Sequence, residues 1–351
     1  VTKPPFTAIL IVPTGVGASI GGYAGDALPV ARAMAQVCDR LITHPNVLNG
    51  AQLYWSEPNI SYVEGYALDQ FAQGNWGLRP VRQNRIGMIF DAAIESELLL
   101  RHLQAAEATR ATLGLNITDY VITDAPLEVE LKSTAGASWG TIGNTGTLLR
   151  AAKKLITEAK IEAIAVVARF PDDPESPALA DYRHGDGLDH LAGAEAVISH
   201  LIVRNFRIPC AHAPALSPLP VDPDLSPRAA AEELGYTFFP CVLVGLSRSP
   251  QFILESNNSL ITDIWSQEVD ALITPVNACG GCAILSLSNS RTKIIAVEEN
   301  TTGLHVTPEM LGIDAIRVKS YLEAIGYLVA LRSGINPDSL GLVAKSLNLL
   351  T

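Results

Sequence analysis

Short apolar runs, small-residue turns and segments of helical period follow one another along most of the chain. TAILIVP (residues 7–13) is rich in strand-favouring residues and predicts a buried strand. VPTGVGASIGGYAGD (12–26) follows, carrying Gly15, Gly17, Gly21, Gly22 and Gly25. From Ala27 the period changes: Ala27, Val30, Ala31, Met34 and Val37 share one helical face, with Arg32, Gln36 and Asp39 opposite. Asp26 is the expected N-cap, and Pro29 is tolerated in the first turn. LIT (41–43) is a second strand, ending in Thr43, His44, Pro45 and Asn46. A strand, glycine loop, helix and strand in that order leave backbone N–H groups free to hold an anion.

The same alternation continues. After a loop-like stretch (47–65) and helical turns at 67–71, strands are expected at 85–91, 119–124, 163–170, 208–214, 237–245, 270–276 and 293–300. Helices are expected at 95–113, closed by Gly114, and at 147–159, 188–205 and 320–331. Ser226-Pro227 starts another, which Gly235 ends, and Asn336-Pro337 opens the last. Strands alternating with helices predict an α/β, Rossmann-like fold: mainly parallel sheet with helices on both faces. The chain divides either into related halves at 1–132 and 133–351 or not at all, as one compact domain.

STAGASWGTIGNTG (133–146) reads as a second glycine loop, because Gly136-Ala137-Ser138-Trp139-Gly140 differs from Gly17-Ala18-Ser19-Ile20-Gly21 at one residue and also precedes a helix. Asn277-Ala278-Cys279-Gly280-Gly281-Cys282 is a third small-residue turn. Ligands in open α/β sheets bind beyond the carboxyl ends of strands, so the three turns are expected to face one cleft. Candidate ligand-binding residues are Gly15, Gly17, Ser19, Gly21, Gly22, Thr43, Asn46, Gly136, Ser138, Gly140, Cys279, Gly280, Gly281, Glu299 and Asn300. His44, His212 and Asp26 are the candidate catalytic residues. His44 returns to the edge of the first glycine loop and carries a ring that titrates near neutrality; the competing role is a core histidine hydrogen-bonded to backbone.

The motifs narrow the chemistry mainly by what they lack. Gly15, Gly17 and Gly21 form G-x-G-x-x-x-G, one residue longer than the dinucleotide fingerprint, and no Gly-Lys-Ser/Thr is present. Ser19 and Ser138 sit in G-x-S-x-G, but Ser19 lies several residues from both its strand and its helix, where a nucleophile elbow is abrupt. Cys279-x-x-Cys282 cannot alone complete a zinc site, and both thiols are expected to be reduced. HGDGLDH (184–190) has metal-capable types; its His190 and His200 lie about 80° apart on a helix. Glu323 with Ser320 fits a capping box. No cofactor or metal follows from these patterns.

Composition adds three constraints. Net charge is −11 and pI about 5.1, against a nucleic-acid partner. Hydrophobic residues make up 48% and charged residues 17%, fewer than the roughly 25% usual in globular chains. That balance predicts surface covered by another subunit in a homo-oligomer. No apolar run spans a bilayer, no signal peptide is visible, and five cysteines do not make a disulfide framework. These features predict a cytoplasmic chain.

PTGVGASIGGYAGDA (13–27), ITHPNVLN (42–49), YVEG (62–65), PCAHAP (209–214), IAVEENTTGL (295–304) and YLEAIGYL (321–328) resemble a family of uncharacterised proteins of photosynthetic bacteria and plastid lineages, a domain of unknown function. The resemblance covers nearly the whole chain and implies a cytoplasmic or stromal α/β protein, with no activity to carry over. The residues themselves point to an enzyme of hydrolase or transferase type, acting on a small phosphorylated or carboxylated metabolite held by the glycine loops. A metabolite sensor using the same loops and a structural assembly component are the alternatives.

Overall fold

The computed structural model describes residues 3–48, 57–134, 136–233, 238–254 and 259–342. In chain order the strands are β1 (Thr7–Leu10), β2 (Arg40–Thr43), β3 (Ile60–Tyr62), β4 (Gly77–Arg79), β5 (Ile86–Phe90), β6 (Ile117–Ile122) and β7 (Val129–Thr134). They continue with β8 (Ala137–Ile142), β9 (Ala163–Arg169), β10 (Cys210–Ala215), β11 (Gln251–Ile253), β12 (Val269–Pro275), β13 (Lys293–Val297) and β14 (Ala315–Val318).

Two parallel sheets carry the structure. The larger runs β14-β13-β12-β1-β2-β3, all parallel. Counted within that sheet, this is the order 3-2-1-4-5-6 of doubly wound folds, with its switch point between β1 and β12. The smaller runs β10-β9-β5-β6, also parallel, with its switch point between β5 and β9. The α/β, mainly parallel class read from the sequence is the observed one. The sheets nonetheless divide the chain differently from a cut at residue 132. The two ends of the chain share the six-stranded sheet, and the middle, from β5 to β10, builds the four-stranded one.

Burial on both faces explains why these strands read as unbroken apolar runs: β1, β5 and β12 show almost no solvent-facing positions. The core follows the two faces, one cluster running through Leu10, Met34, Phe90 and Phe239 and another through Ile9, Phe71, Leu78 and Ile198. Most helix boundaries match the sequence signals. Gly114 closes the Ser96–Leu113 helix in the left-handed conformation at φ 67°. Ser320 caps Tyr321–Ser333 through its Oγ, and Glu323 reaches back to the Lys319 N–H at 2.6 Å, one residue beyond the usual capping-box partner.

Three expectations are corrected. The apolar stretch expected as a strand at 237–245 is a buried helix, Phe238–Ser247. An apolar run with no polar face has no period to separate the two, and Pro240 falls in the first turn, where helices accept it. The second glycine loop falls in an antiparallel hairpin of β7 and β8, paired from Val129–Ile142 to Thr134–Ala137. Asp26 does not cap the first helix, Leu28–Ala35, whose N-cap is Ala27 without a side-chain bond. Residues 49–56 of the expected loop, Gly235 and the helix expected past 342 lie outside the described residues.

The hairpin is held by backbone contact. A Cβ on Gly140 would lie 2.3 Å from the Ala194 Cβ, and one on Gly193 would lie 2.3 Å from the Trp139 Cα. Both glycines let β8 press onto the start of the Ala192–Phe206 helix with no side chain between them. Gly140→Val should therefore destabilise the protein by about 2–3 kcal/mol, read as a lower urea midpoint with an unchanged slope. An unchanged midpoint would show that the hairpin is free to move away.

Candidate functional site

The first glycine loop lies at the switch point of the six-stranded sheet, between β1 and the first helix. Gly21 needs its left-handed backbone (φ 91°), and a Cβ there would lie 2.4 Å from Val12 Cγ1. Several of the loop's polar groups bond neighbouring loops. Ser19 N–H donates to the Thr301 carbonyl at 2.8 Å, and Ser19 Oγ meets Thr301 Oγ1 at 2.8 Å. Asn300 clasps Ile20 from both sides, accepting from its N–H at 2.9 Å and donating to its carbonyl at 2.8 Å. Asn300 also donates to the Tyr321 hydroxyl. Asn46 Nδ2 donates to the Gly21 carbonyl, and Thr43 Oγ1 to the Leu10 carbonyl. Glu299 Oε1 accepts from Tyr321 N–H at the start of the last long helix.

The other small-residue turns join the same edge. Ser138 N–H donates to the Gly15 carbonyl at 2.9 Å, and Ser138 Oγ to the Asp189 carbonyl at 2.6 Å. Gly136 packs on Gly303, close enough that a Cβ on Gly303 would lie 2.6 Å from the Gly136 carbonyl oxygen. Leu188 lies over Gly17, and Gly22 turns tightly against the Ala18 carbonyl. Cys279 N–H donates to the Val306 carbonyl, and Gly280 faces the Val306 side chain. Asn277 bonds Thr302 through both ends of its amide. Gly281 caps the short Cys282–Leu287 helix. The loops thus brace one another, and their N–H groups named here already have acceptors.

The three candidate catalytic residues differ in surroundings. His44 is buried, and its Nε2 accepts the Val12 N–H at 2.9 Å, pinning the entry to the glycine loop. Burial lowers its pKa to about 4, so the ring is neutral at pH 7. An occupied Nε2 lone pair in a dry site is the backbone-bonded core histidine, not a proton carrier. Asp26 is held by Arg228 through a forked contact, and Arg228 stacks over Tyr23 at 4.4 Å. Burial raises the Asp26 pKa, with Arg228 opposing. His212 lies elsewhere, on β10 of the four-stranded sheet.

Beside His212 the structure opens a cavity of about 560 Å³ at the carboxyl ends of β9 and β10. Its walls come from the loop after β9 (Pro171 to Ser176), the residues after β10 (Leu216 to Leu219), Phe238 and Phe239. Asp189, His190, Leu191 and Glu195 enter from the start of the Ala192–Phe206 helix, and Ala24 of the glycine loop touches the rim. Tyr23 stacks on Tyr182 of the wall, with centroids 4.3 Å apart. Asp91, at this sheet's switch point, ties the loops behind it by accepting from Ala93, Leu127 and Arg169 N–H groups.

Glu195, Ser199 and His212 form one buried group. Glu195 and Ser199 are one helical turn apart on the inward face, and both are under 9% exposed. Ser199 Oγ bonds His212 Nδ1, while His212 Nε2 lies 3.7 Å from Glu195 Oε2, short of a direct hydrogen bond. Burial, with the charge of nearby His200, lowers the His212 pKa to about 3. With the ring neutral, the tautomer that suits both neighbours places the proton on Nε2, facing the carboxylate, with Ser199 donating to Nδ1. The cavity therefore presents Glu195, backed by a neutral imidazole.

Sequence reasoning included His212 and, as a metal-capable type, His190, but not Glu195 or Ser199. The signal available was a pair of polar residues spaced i, i+4 on the buried side of an otherwise apolar helix. The HGDGLDH run does not act as a unit. His184 Nε2 meets Asp222 at 3.1 Å, and Asp189 Oδ1 accepts from Leu191 and Ala192 N–H groups. No cluster of three metal-ligating side chains occurs among the described residues. Cys279 is buried with its Sγ toward the Pro275 and Val276 carbonyls, whereas Cys282 is exposed and accepts from Gln73 Nε2.

A family model described as a protein of unknown function (DUF3326) matches residues 7–341. A Synechococcus sp. protein named an uncharacterized lipoprotein is 58% identical over 335 residues, covering 95% of this chain and 93% of that protein. No solved structure matches the chain. Among the described residues no helix is long and apolar enough to cross a membrane.

The buried histidines set an acid response. His44 and His212 are neutral when folded, with values near 4 and 3 against 6.5 when free. Between pH 6.5 and 4 the unfolded chain then binds more protons. The stability they contribute is complete above 6.5 and lost as pH falls, by on the order of 2 kcal/mol for each ring. His44→Gln, whose carbonyl can still accept from Val12, should flatten that slope in urea titrations run from pH 7 to pH 4. An unaltered slope would mean that His44 is protonated in the folded protein.

Proposed function

The chain belongs to the DUF3326 family, and we propose that it binds a small, largely apolar metabolite in the 560 Å³ cavity and moves a proton on it through Glu195. One observation carries the reading: a buried carboxylate, backed by His212 and Ser199, faces an otherwise mostly apolar cavity at the carboxyl edge of a parallel sheet. A carboxylate in such surroundings is suited to general acid–base work, in keeping with hydrolase or transferase chemistry. The expected small-molecule ligand is retained, and we place it in the cavity rather than at the glycine loops, several of whose polar groups bond one another.

A sensor is the second reading, favoured by the stacking of Tyr23 in the glycine loop on Tyr182 in the cavity wall, which links occupancy to the larger sheet. The two readings separate by mass spectrometry of the small molecule that co-purifies with wild type and with Glu195→Gln. An enzyme yields chemically different species from the two proteins, and a sensor yields the same one.

The cavity itself is tested with 1-N-phenylnaphthylamine, a neutral dye that fluoresces in apolar sites. Leu216→Trp, which fills the cavity, should weaken dye binding at least about tenfold with the circular dichroism spectrum unchanged. Ser19→Ala should leave it as in wild type. The reverse pattern would return the site to the glycine loops.

We propose further that the protein is a cytoplasmic homo-oligomer. Its five cysteines are free, four of them buried. Leu322 and Val329 remain exposed on the Tyr321–Ser333 helix, and Leu340 on the turn against it. Cell fractionation followed by sedimentation should find a soluble species heavier than the 37.4 kDa chain. Pelleting with membranes would instead extend to this chain the lipoprotein character in its relative's name.

A further inference from the structure

The carboxylates and aromatic rings of the cavity identify a class of ligand. Resting on the cavity reading above, we propose that the ligand is an organic amine, with a cationic ammonium head seated beside Glu195 and His190 and an apolar body along the wall of Leu191 and Leu216.

The first support is the balance of charge. Asp172, Asp173, Asp189, Glu195 and Glu233 line the cavity, against one cationic side chain, Lys132. Lys132 Nζ is already 3.5 Å from Glu130 on its own strand. Arg169 answers Asp172 at 2.6 Å, and Arg183 answers Glu233 at 2.5 Å. Counted over the described lining, with Arg169 and Arg183 set against Asp172 and Glu233, the carboxylates still outnumber the cations, and apolar surroundings weaken the screening of that imbalance. An anionic ligand would enter against it.

The second support is independent of charge. His190 Nε2 is buried and has no hydrogen-bond partner among the described residues. A buried ring nitrogen left unpaired is costly; in the tautomer that carries the proton on Nδ1, Nε2 is an acceptor that a ligand donor in the cavity would satisfy. An ammonium group brings three donors, enough for the imidazole nitrogen and a carboxylate together. Tyr182, Phe238 and Phe239 line the same space, and aromatic faces attract a cation.

One feature would ordinarily draw an anion: the N-terminus of the 15-residue Ala192–Phe206 helix points at the cavity. It is already answered from within the chain. Asp189 Oδ1 accepts the Leu191 and Ala192 N–H groups at 2.8 and 3.2 Å, and Glu195 stands in the first turn. The first N–H groups of the helix are thereby bonded to a carboxylate, and a second carboxylate stands in its first turn, which opposes a phosphate there. This places the cavity's preference opposite to the phosphorylated or carboxylated metabolite expected from the glycine loops.

Three probes of one skeleton test the assignment: phenethylamine, 2-phenylethanol and phenylacetate, each competing with 1-N-phenylnaphthylamine on the full chain at pH 7. Phenethylamine should displace the dye at a concentration at least about tenfold lower than the alcohol, with phenylacetate weakest of the three. Glu195→Gln should shrink the amine-to-alcohol ratio about tenfold. Asp173→Asn, at an exposed position, should shrink it less. Equal displacement by all three, or tighter binding of phenylacetate, overturns the amine assignment while leaving the cavity as the site. Failure of the dye to bind wild type overturns the cavity reading and the amine with it. If Glu195→Gln does not fold, an unchanged ratio in Asp173→Asn together with an amine no better than the alcohol on wild type is the overturning result.

Discussion

Everything in this molecule depends on β1 lying between β2, about thirty residues on, and β12, more than 250 residues on. Ala8 pairs with Leu41 on one side and Ala271 on the other, and these pairings fix the centre of the six-stranded sheet. Such a contact is reached only after a long loop has been closed. The intervening chain must therefore leave after β3 and return at β12 already compact. It does so by folding a second parallel sheet with its own switch point. Tyr62, at the end of β3, packs against Gly245, and Ser249 Oγ donates to the Tyr62 carbonyl. The inserted layer is thereby locked to the edge it departed from.

Sharing one carboxyl edge has a price in polar groups. Loops from β1, β12 and β13 crowd together with the β7–β8 hairpin, and each brings backbone groups that must be paired once water is excluded. Asn46, Asn277 and Asn300 share in that pairing beside the backbone bonds, each through a side-chain amide placed between two loops. His44 contributes a neutral ring to the same end. Gly15, Gly17 and Gly21 supply left-handed turns, and Gly21 also close approach to Val12. The residues that suggest a phosphate loop in the sequence thus also take part in a joint between loops.

The alternation of apolar runs and helical periods made the α/β class legible, because strands buried on both faces must be apolar throughout. It could not show which strands pair. The order of β12 beside β1 depends on contacts that no local period encodes. FFPCVLVGLS was misread for a related reason: with every side buried, helix and strand leave the same signature. The hairpin was legible in principle, since Ser138, Gly140 and Ile142 alternate with Trp139 and Thr141 in burial. The likeness of its glycines to the first loop concealed that period of two. His212 was found because it follows an apolar run, whereas Glu195 and Ser199 lay unnoticed inside one.

The two sheets thus divide the work. At the switch point of the larger sheet, loops from both ends of the chain meet and are tied together by hydrogen bonds between their backbones and amide side chains. At the carboxyl edge of the smaller one, the segments that follow strands β9 and β10 line the cavity and carry Pro171, Pro174 and Pro218. Proline supplies no N–H to pair, so these segments bring fewer donors to satisfy at its walls. Into that space the helix at Ala192 projects Glu195, with His212 and Ser199 filling the layer behind. The inserted layer can hold an open, acidic and largely apolar cavity because the larger sheet carries the burden of closing the chain.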